Sequence, residues 1–381
     1  MLLPKLKAAA NITPADLGYT LPAEWEPHAT TWLAWPHNAT DWPGKFAVIP
    51  WVYGEMIRQI AAGEKIFLLV RHQKDAQHAR QILQHVGVDL LKIQFVTHPT
   101  DRGWTRDTGP IFVKRNAEHR SANSGRAMPG APEKSEMAIV HFHFNGWAKY
   151  PNWRKDTKVP ETAAKLLGKK LFHAQCPASA STKNFVIEGG GIEVNGRGTL
   201  LATEQCYLDP KVQVRNPGLG QKEIEAALKA NLGVKNIFWL AKGPQGDDTH
   251  GHIDDVCRFV NARTLVLVRE KNPRDENYRP LAENWERIRD LRLEDGRKPE
   301  VIELPMPSPL YFDGVRLPAS YANFYISNAA VIVPTFNDPN DRIALGILGE
   351  LFRDRPVVGI HAVDLVWGFG SLHCLTQQQP A

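Results

Sequence analysis

The chain has 381 residues, 43% of them hydrophobic, and a formal net charge of +5 from 46 basic and 41 acidic side chains. This size allows a large buried core, while a mild basic excess without a dense Lys/Arg run argues against nucleic-acid binding. Because no apolar run reaches 18 residues and the first residues are too weakly apolar for a secretory signal, we expect a soluble cytoplasmic protein that does not bind membranes.

Apolar, β-branched and aromatic runs predict strands along the whole chain. They lie at Thr30–Trp35, Lys65–Val70, Lys92–Thr97, Pro110–Lys114, Ala138–Phe144, Phe185–Glu188, Thr199–Thr203, Asn236–Leu240, Val256–Val260, Thr264–Val268, Ala322–Ser327, Ala330–Pro334 and Val357–Ile360. Apolar residues at three-to-four spacing predict helices. These lie at Val48–Ala62, Ala76–Val86, Glu161–Leu167, Lys222–Leu232, Pro280–Arg292 and Asp341–Arg353. Strand pairs that alternate with single helices indicate an α/β fold.

Asn195 and Gly196 lie between two strand-like runs, and an Asn-Gly pair supplies the positive backbone angles of a tight hairpin turn. Local antiparallel pairing disfavours a sheet made only of parallel crossovers and favours a repeated unit of mixed strands with one helix. The stretch Arg115–Glu136 is polar and rich in Gly, Pro, Ser and Asn, so we expect a surface loop there.

The four cysteines are far apart, and no two of them form a Cys-x-x-Cys pair. This spacing argues against a disulfide framework and against a zinc site built from cysteines, and it fits free thiols in a reducing compartment. No Ser/Gly-rich or Pro-rich linker divides the chain. We therefore expect residues 1–381 to form a single domain.

Cys374 stands in a segment whose glycines and glutamines are poorly suited to an apolar core. A thiol reacts as its thiolate, so a reactive cysteine needs charged groups that activate it. We predict that Cys374 is a nucleophile, although a lone cysteine is more often a small buried hydrophobe. His373 adjoins it, but neighbours on an extended segment project to opposite faces, so His252 is the better candidate base.

Two further segments place carboxylates beside unusual neighbours. Asp107 follows Trp104 at a turn that opens a strand, and an aromatic ring beside a carboxylate suits a flat organic cation, although Asp107 as a simple turn cap is the alternative. Glu188 ends an apolar strand and precedes three glycines. A buried ionised glutamate needs a partner, while the glycines allow close backbone approach. A phosphate loop does not fit, because no Gly-Lys-Ser/Thr follows.

The segment Asp247–Asp255 carries the densest set of ionisable side chains in the sequence. On an extended segment His252 and Asp254 share one face, and His250 would join them there. The pattern is similar to the His-x-His-x-Asp run of binuclear zinc hydrolases, so a metal-dependent hydrolase using His250, His252 and Asp254 is an alternative. Such a site needs more histidines downstream, and only two follow, so we expect no metal.

Together these segments resemble the agmatine deiminase family, within a superfamily of guanidine-modifying enzymes that also includes arginine deiminases and bacterial-type peptidylarginine deiminases. The matching motifs are Pro22–His28, Trp32–Pro36, Trp104–Pro110, Phe144–Trp147, Glu188–Gly191, Gly251–Asp254, Ser320–Tyr325 and Ser371–Gln378. The resemblance implies a five-bladed α/β propeller, the pentein fold, with pseudo-fivefold symmetry and a central site.

Carried over to this chain, the resemblance implies that Cys374 is the nucleophile and His252 the acid/base, with Glu188 beside that histidine. It implies that Asp107 and Asp254 grip the guanidinium. A guanidinium is planar and cationic with donors in a fixed fork, so two carboxylates suit it. The mechanism requires no metal or organic cofactor and passes through a covalent thiouronium intermediate.

The resemblance implies a small cationic guanidino substrate, agmatine, converted to N-carbamoylputrescine and ammonia in putrescine biosynthesis. Deimination of arginine or peptidyl-arginine by the same mechanism is the alternative. Trp104 is expected beside the substrate, and Asp248 is the candidate acceptor for the distal amine. Phe369 stands where family members usually have glycine, so the approach to the nucleophile is expected to be narrower or reshaped. A homo-oligomer is also expected.

Overall fold

The computed structural model describes residues 12–115, 136–177 and 184–381. The first residues of the chain, and all of the expected surface loop except its two end residues, lie outside the described residues. None of the helices within the described ranges is both long enough and apolar enough to cross a membrane.

Eighteen strands and eight α-helices alternate along the described residues. The strands are β1 His28–Ala34, β2 Lys65–Val70, β3 Ile93–Thr97, β4 Ile111–Arg115, β5 Glu136–His141, β6 Lys170–His173, β7 Glu193–Val194, β8 Thr199–Thr203, β9 Asn236–Leu240, β10 Cys257–Phe259, β11 Thr264–Arg269, β12 Glu300–Pro305, β13 Tyr311–Phe312, β14 Val315–Arg316, β15 Tyr325–Ile326, β16 Val331–Thr335, β17 Val357–His361 and β18 Gln377–Pro380. The helices are α1 Ile49–Ala61, α2 Gln73–His85, α3 Thr105–Thr108, α4 Val159–Leu167, α5 Glu204–Tyr207, α6 Gln221–Leu232, α7 Tyr278–Arg287 and α8 Asn340–Leu351. The predicted mixture of strands and helices is confirmed.

Five sheets in the described part of the chain repeat one strand pattern. Four of them have the orders β4-β5-β6, β7-β8-β9, β10-β11-β12 and β15-β16-β17, and the fifth has the order β18-β1-β2-β3. In each sheet an antiparallel pair comes first and a parallel pair follows. The helices α1, α4, α6, α7 and α8 connect the parallel strands, as such crossovers require.

Helix α1 illustrates how the helices close the core. Its residues Tyr53, Met56, Ile57 and Ile60 are fully buried, and their three-to-four spacing places them on one face. Arg58 on the opposite face is exposed. Burial of each large apolar side chain contributes roughly 1.5–3 kcal/mol to the free energy of unfolding.

The Asn-Gly hairpin is present between β7 and β8, which pair antiparallel. Gly196 has φ 68°, a left-handed angle that glycine adopts without strain. The Asn195 side chain accepts hydrogen bonds from the backbone N–H groups of Arg197 and Thr199, both at 3.0 Å. This side chain therefore holds the turn closed.

The predicted strand Phe185–Glu188 is wrong, because the segment makes only an isolated bridge with His143. The backbone N–H and C=O of Val186 bond instead to the Asn216 side-chain amide, at 2.9 and 2.8 Å. The Glu188 N–H donates to the Tyr207 hydroxyl at 3.2 Å. Side chains rather than a neighbouring strand thus fix the position of Glu188.

Strand β18 lies directly after Cys374 and pairs antiparallel with β1. Gln379 Oε1 accepts hydrogen bonds from Thr30 Oγ1 at 2.9 Å and from Trp32 Nε1 at 3.1 Å. The sequence pattern missed this strand because glutamine is neither apolar nor typical of strands. The pairing anchors the segment that carries Cys374 to the first sheet of the chain.

Candidate active site

The cavity that contains Cys374 has a volume of about 200 Å³. Its walls include the aromatic residues Trp104, Trp147, Tyr150 and Trp367. Asp107 and Cys374 both line it. A small cavity with apolar walls and a few polar groups fits a small ligand with one charged end.

Cys374 lies in a 3-10 helix, His373–Leu375, and is 5% exposed. Asn323 Nδ2 lies 3.1 Å from its Sγ, and Asp254 Oδ2 lies 3.7 Å from the same atom. A Cβ atom on Gly370 would come within 3.2 Å of Sγ, so the glycine leaves the sulfur open to the cavity. One amide donor and one carboxylate therefore flank the thiol.

The pKa of the Cys374 thiol is raised well above its usual range. Burial is the main cause, and the carboxylates of Asp254, Asp255 and Asp107 act in the same direction because they repel a thiolate. The thiol is thus neutral in the unliganded site at neutral pH. A cation placed between the carboxylates and the sulfur would reverse this electrostatic effect.

His252 is fully buried and faces carboxylates on both sides of its ring. Its Nε2 lies 3.2 Å from Glu188 Oε2, and its Nδ1 lies 3.8 Å from Asp107 Oδ1 and 4.0 Å from Asp254 Oδ1. Burial alone lowers the pKa of His252, but Asp107, the nearby Cys206 and Glu188 outweigh it and raise the pKa well above its usual range. The imidazole is therefore a cation at neutral pH.

Glu188 forms a fully buried ion pair with Arg215, whose Nε lies 3.2 Å from Oε1 and 3.1 Å from Oε2. Burial raises the pKa of Glu188, but Arg215 and then His252 lower it more strongly, and the net pKa is below the usual range. Sequence analysis required a partner for Glu188 without finding Arg215. The residue stands in a loop without a motif, so no local signal marked it.

Asp107 and Asp254 are the two carboxylates on the Nδ1 side of the His252 ring. Asp107 Oδ2 accepts from the Trp147 indole at 2.9 Å, and its Oδ1 accepts from the Gly190 backbone N–H at 3.0 Å. Burial raises the pKa of Asp107, whereas the pKa of Asp254 is lowered because burial is outweighed by His373. Asp254 Oδ1 and His252 Nδ1 are buried without a hydrogen-bond partner among the described residues.

Gly190 explains why the sequence needs glycine after Glu188. A Cβ atom at this position would lie 2.6 Å from His252 Nδ1 and 3.0 Å from both Asp107 Oδ1 and Asp254 Oδ2. These distances are shorter than van der Waals contact, so the backbone approaches the three side chains only because no Cβ is present. The glycine run therefore packs against the charged groups themselves.

The extended conformation expected around His252 is wrong. Ile253–Asp255 form a 3-10 helix, and the Asp247 carboxylate accepts hydrogen bonds from the backbone N–H groups of Gly251 and His252, at 2.7 and 3.1 Å. The structure nevertheless brings His252 and Asp254 together.

The expectation that His250 joins His252 and Asp254 is also wrong, because His250 Nε2 lies 3.1 Å from Asp209 on the other side of the segment. The set of metal ligands considered as an alternative is therefore not brought together. The described residues do contain one other group with ligand atoms within 4.8 Å, namely Glu188, Cys206 and His252. Arg215 already neutralises Glu188 in this group. A bound cation would consequently meet a buried positive charge beside one of its ligands.

His373 does not face the cavity, as predicted, although it lies in a 3-10 helix rather than on an extended segment. Its Nδ1 lies 2.7 Å from Asp254 Oδ2, and its Nε2 lies 2.7 Å from Glu24 Oε2. His373 therefore positions Asp254 from behind. Glu24 was not assigned in the sequence, although it lies in one of the matching motifs.

Asp248 lies at the cavity wall, but both of its oxygens have partners. Oδ1 pairs with Lys149 Nζ, and Oδ2 accepts from the Tyr150 hydroxyl at 2.7 Å. Trp104 lines the same cavity, as expected for a residue beside the substrate. The predicted amine acceptor is thus already occupied by a cation.

Phe369 occupies a left-handed conformation with φ 64° and ψ 26°, which glycine adopts without strain and a phenylalanine rarely does. Its ring lies against Trp367 at a centroid distance of 5.9 Å, and both residues line the cavity. The aromatic side chain therefore forms part of the cavity wall, and the expected narrowing or reshaping of the approach to the nucleophile stays a prediction.

Comparison with known proteins identifies the family. The sequence matches the family model of Porphyromonas-type peptidyl-arginine deiminase over residues 20–380. The chain belongs to this family.

Similar proteins within the Porphyromonas-type peptidyl-arginine deiminase family are named agmatine deiminases. One from Pseudomonas fluorescens (strain SBW25) is 34% identical over 395 residues, which cover 97% of each protein. A solved agmatine deiminase of Enterococcus faecalis superposes with a TM-score of 0.83 at 27% identity, over 98% of this chain and 99% of that chain. A substrate-bound agmatine deiminase from C. jejuni superposes with a TM-score of 0.78 at 28% identity, over 95% of this chain and 96% of that one. The resemblance predicted from the motifs is confirmed.

Proposed function

We propose that this protein is an agmatine deiminase, a hydrolase that converts agmatine and water to N-carbamoylputrescine and ammonia in putrescine biosynthesis. The names of its relatives support agmatine as the substrate. The geometry supports the reaction type independently, because a sulfur and the Asp107 carboxylate line one cavity, while the His252 imidazolium lies beside Asp107 and the Asp254 carboxylate lies beside the sulfur.

The observation that carries the proposal is the pair of unpartnered polar atoms beside the sulfur. Asp254 Oδ1 and His252 Nδ1 are buried without hydrogen bonds among the described residues, and Asp254 lies within 3.7 Å of Cys374 Sγ through its other oxygen. Buried polar atoms normally have partners, so the acceptor Asp254 Oδ1 requires a ligand that donates, whereas the protonated Nδ1 of His252 is left free to give its proton to a reacting nitrogen. A guanidinium donates in two directions in one plane and fits between Asp254 and Asp107.

Binding of the substrate cation activates the nucleophile. The positive charge between Asp107 and Asp254 offsets the carboxylates that raise the thiol pKa, so Cys374 loses its proton to solvent as the complex forms. The Asn323 amide, 3.1 Å from Sγ, then donates to the thiolate. The thiolate attacks the guanidinium carbon, and a C–S bond forms in a tetrahedral adduct.

His252 supplies the proton that allows nitrogen to leave. Its raised pKa keeps the imidazole protonated, and it transfers this proton to the departing nitrogen as the C–N bond breaks and ammonia is released. The product of this step is an S-alkylthiouronium on Cys374. Neutral His252 then accepts a proton from water, whose oxygen attacks the same carbon. The C–S bond breaks, and the remaining hydroxyl proton passes to the departing sulfur, which gives the ureido product and the neutral Cys374 thiol. Glu188 holds the imidazole through its Nε2.

We further propose that the five sheets form the blades of a five-bladed α/β propeller around this site, within a single domain of residues 1–381. The shared strand pattern of the sheets supports this arrangement. Convergence of Glu24, Asp107, His252 and Cys374 from distant segments supports one domain. We also propose a cytoplasmic homo-oligomer, and the buried free cysteines of the described residues suit a reducing compartment.

Ammonia release from agmatine, arginine and a peptide with a C-terminal arginine tests the function. We expect the highest kcat/KM for agmatine, with a ureido product in stoichiometric amount. Cys374→Ser is expected to abolish ammonia release while the variant still binds agmatine. Preferred turnover of arginine or of the peptide would favour the alternative deiminase, and unchanged turnover by Cys374→Ser would refute the mechanism.

A further inference from the structure

Asp41 is one of three acidic residues in the cavity wall, together with Asp107 and Asp248. It ends the short 3-10 helix Ala39–Asp41, and its side chain is 1% exposed. Oδ1 accepts from Arg102 Nη1, whereas Oδ2 has no hydrogen-bond partner among the described residues. A buried carboxylate oxygen without a donor costs free energy, so this atom requires one.

Trp104 connects this end of the cavity with the nucleophile. A Cβ atom on Gly370, next to Cys374, would lie 2.7 Å from the Trp104 ring, and one on Gly368 would lie 3.0 Å from it. The ring centroid of Trp42, the residue after Asp41, is 5.3 Å from that of Trp104. A flexible ligand that lies along Trp104 therefore has a carboxylate at each end.

We propose that Asp41 Oδ2 accepts a hydrogen bond from the terminal ammonium of the substrate, so that Asp41 selects a guanidine that carries a cation at its far end. This assignment rests on the proposed function and specifies its substrate class. A methylene chain fits the aromatic wall between the two ends, and a primary ammonium supplies the donor that Oδ2 lacks.

The other charged groups in the same wall are less suited to this role. Asp248 has one oxygen on Lys149 and the other on Tyr150, so it has no free acceptor comparable to Oδ2. Arg102 would suit a substrate carboxylate, but its Nη1 binds Asp41, and its Nε and Nη2 bind Asn152 at 3.4 and 3.3 Å. A free-arginine substrate would therefore have to displace existing partners.

The experiment compares agmatine with butylguanidine, which has the same chain without the amine. The measured quantity is the ratio of kcat/KM for the two compounds, obtained from ammonia release. We expect Asp41→Asn to lower this ratio about tenfold to a hundredfold, because it removes a charged hydrogen bond in a buried site. Asp248→Asn tests the rival acceptor. Tyr53→Phe is the matched control, since the Tyr53 hydroxyl is near Asp41 but does not line the cavity.

A pH series on the wild-type protein provides a second readout that does not depend on a variant folding correctly. Burial raises the pKa of Asp41 to about 6, although Arg102 and the Trp104 side chain act in the opposite direction. Tyr53 and Tyr150 are the other titratable groups that the charge of Asp41 affects. The ratio is expected to fall as pH is lowered through about 6, because protonated Asp41 has no charge to attract the ammonium. In Asp41→Asn this decline should be absent.

A selective fall in Asp41→Asn, with Tyr53→Phe close to wild type, supports the assignment. A ratio in Asp41→Asn within about twofold of wild type overturns it, and would mean that Oδ2 is hydrated rather than bound by the substrate. A fall in Asp248→Asn instead also overturns it. These results leave deiminase activity intact, whereas absence of ammonia release from every guanidine in the wild type would overturn the proposed function itself.

Discussion

Gly190→Ala tests the site geometry with one added methyl group. The new Cβ atom would lie 2.6 Å from His252 Nδ1 and 3.0 Å from oxygens of Asp107 and Asp254. Since the backbone of Gly190 also donates to Asp107, it cannot withdraw without losing that hydrogen bond. The imidazole, which has no partner on Nδ1, is the group that must move.

The magnitude follows from the distances. Ordinary contact begins near 3.4 Å, so His252 must retreat by about 0.8 Å from its 2.6 Å separation. A misplacement of about 1 Å at a reacting group costs on the order of 100-fold in rate. We therefore expect kcat/KM for agmatine to fall about 100-fold, or about 2.7 kcal/mol of transition-state stabilisation. Overpacking should also lower the free energy of unfolding by about 1–3 kcal/mol.

Ammonia release and urea denaturation measure the two effects separately. Gly349→Ala is the matched control, because Gly349 lies on the exposed side of α8 and an added Cβ would meet nothing within 4 Å. This control should retain wild-type activity and gain up to about 1 kcal/mol in stability from helix propensity. Activity of folded Gly190→Ala within about threefold of wild type would refute the reasoning, since the contacts would then be compatible with catalysis.

Three further predictions concern groups behind the sulfur and the imidazole. Arg215→Met leaves Glu188 buried without its arginine partner, so urea denaturation should show a free energy of unfolding about 3–5 kcal/mol lower than that of wild type. A decrease of less than about 1 kcal/mol would contradict the ion-pair argument. Asn323→Ala removes the donor to the Cys374 thiolate, so kcat/KM should fall about tenfold. The increase of kcat/KM with pH should also shift to higher pH, because the thiolate is less stabilised. An unchanged dependence of kcat/KM on pH would argue against this donor. Because the folded-state pKa of His252 is raised, its stabilising effect is complete below the unfolded pKa of about 6.5 and is lost as pH rises through the folded value. The difference in unfolding free energy between wild type and His252→Gln should therefore shrink as pH rises above about 6.5, and a constant difference would exclude the charged imidazole.

The sequence predicted much of the fold because a long regular pattern of apolar residues predicts the helix or strand in which it lies. The strands Lys65–Val70, Thr199–Thr203 and Asn236–Leu240 were predicted with the bounds that the structure has. The strands Lys170–His173 and Glu300–Pro305 were missed, since each flanks a short apolar pair with polar or charged residues and neither is fully buried. Burial in these edge strands depends on the neighbouring strand rather than on their own composition.

The candidate site was predicted as a set of residues but not in its local conformation. The 3-10 helix after His252 depends on the Asp247 carboxylate, which accepts hydrogen bonds from two backbone N–H groups. The spacing of apolar and polar residues in the sequence does not predict such side-chain-to-backbone hydrogen bonds. The partners of the site residues were missed for a different reason. Asp248 and Lys149 are 99 positions apart, and only the folded chain brings them together. The catalytic roles remain predictions.

The pairing of β18 with β1 has a consequence for the chemical fate of the thiol. Thr30 and Gln379, which bond across these strands, are 349 positions apart, and contacts of such separation form slowly because a long loop must close first. Until they form, Cys374 stays in solvent with an ordinary thiol pKa near 8.5, open to alkylation and oxidation. Completion of that sheet therefore also shields the sulfur from oxidants, and a chain that stalls before this contact exposes the nucleophile to irreversible damage.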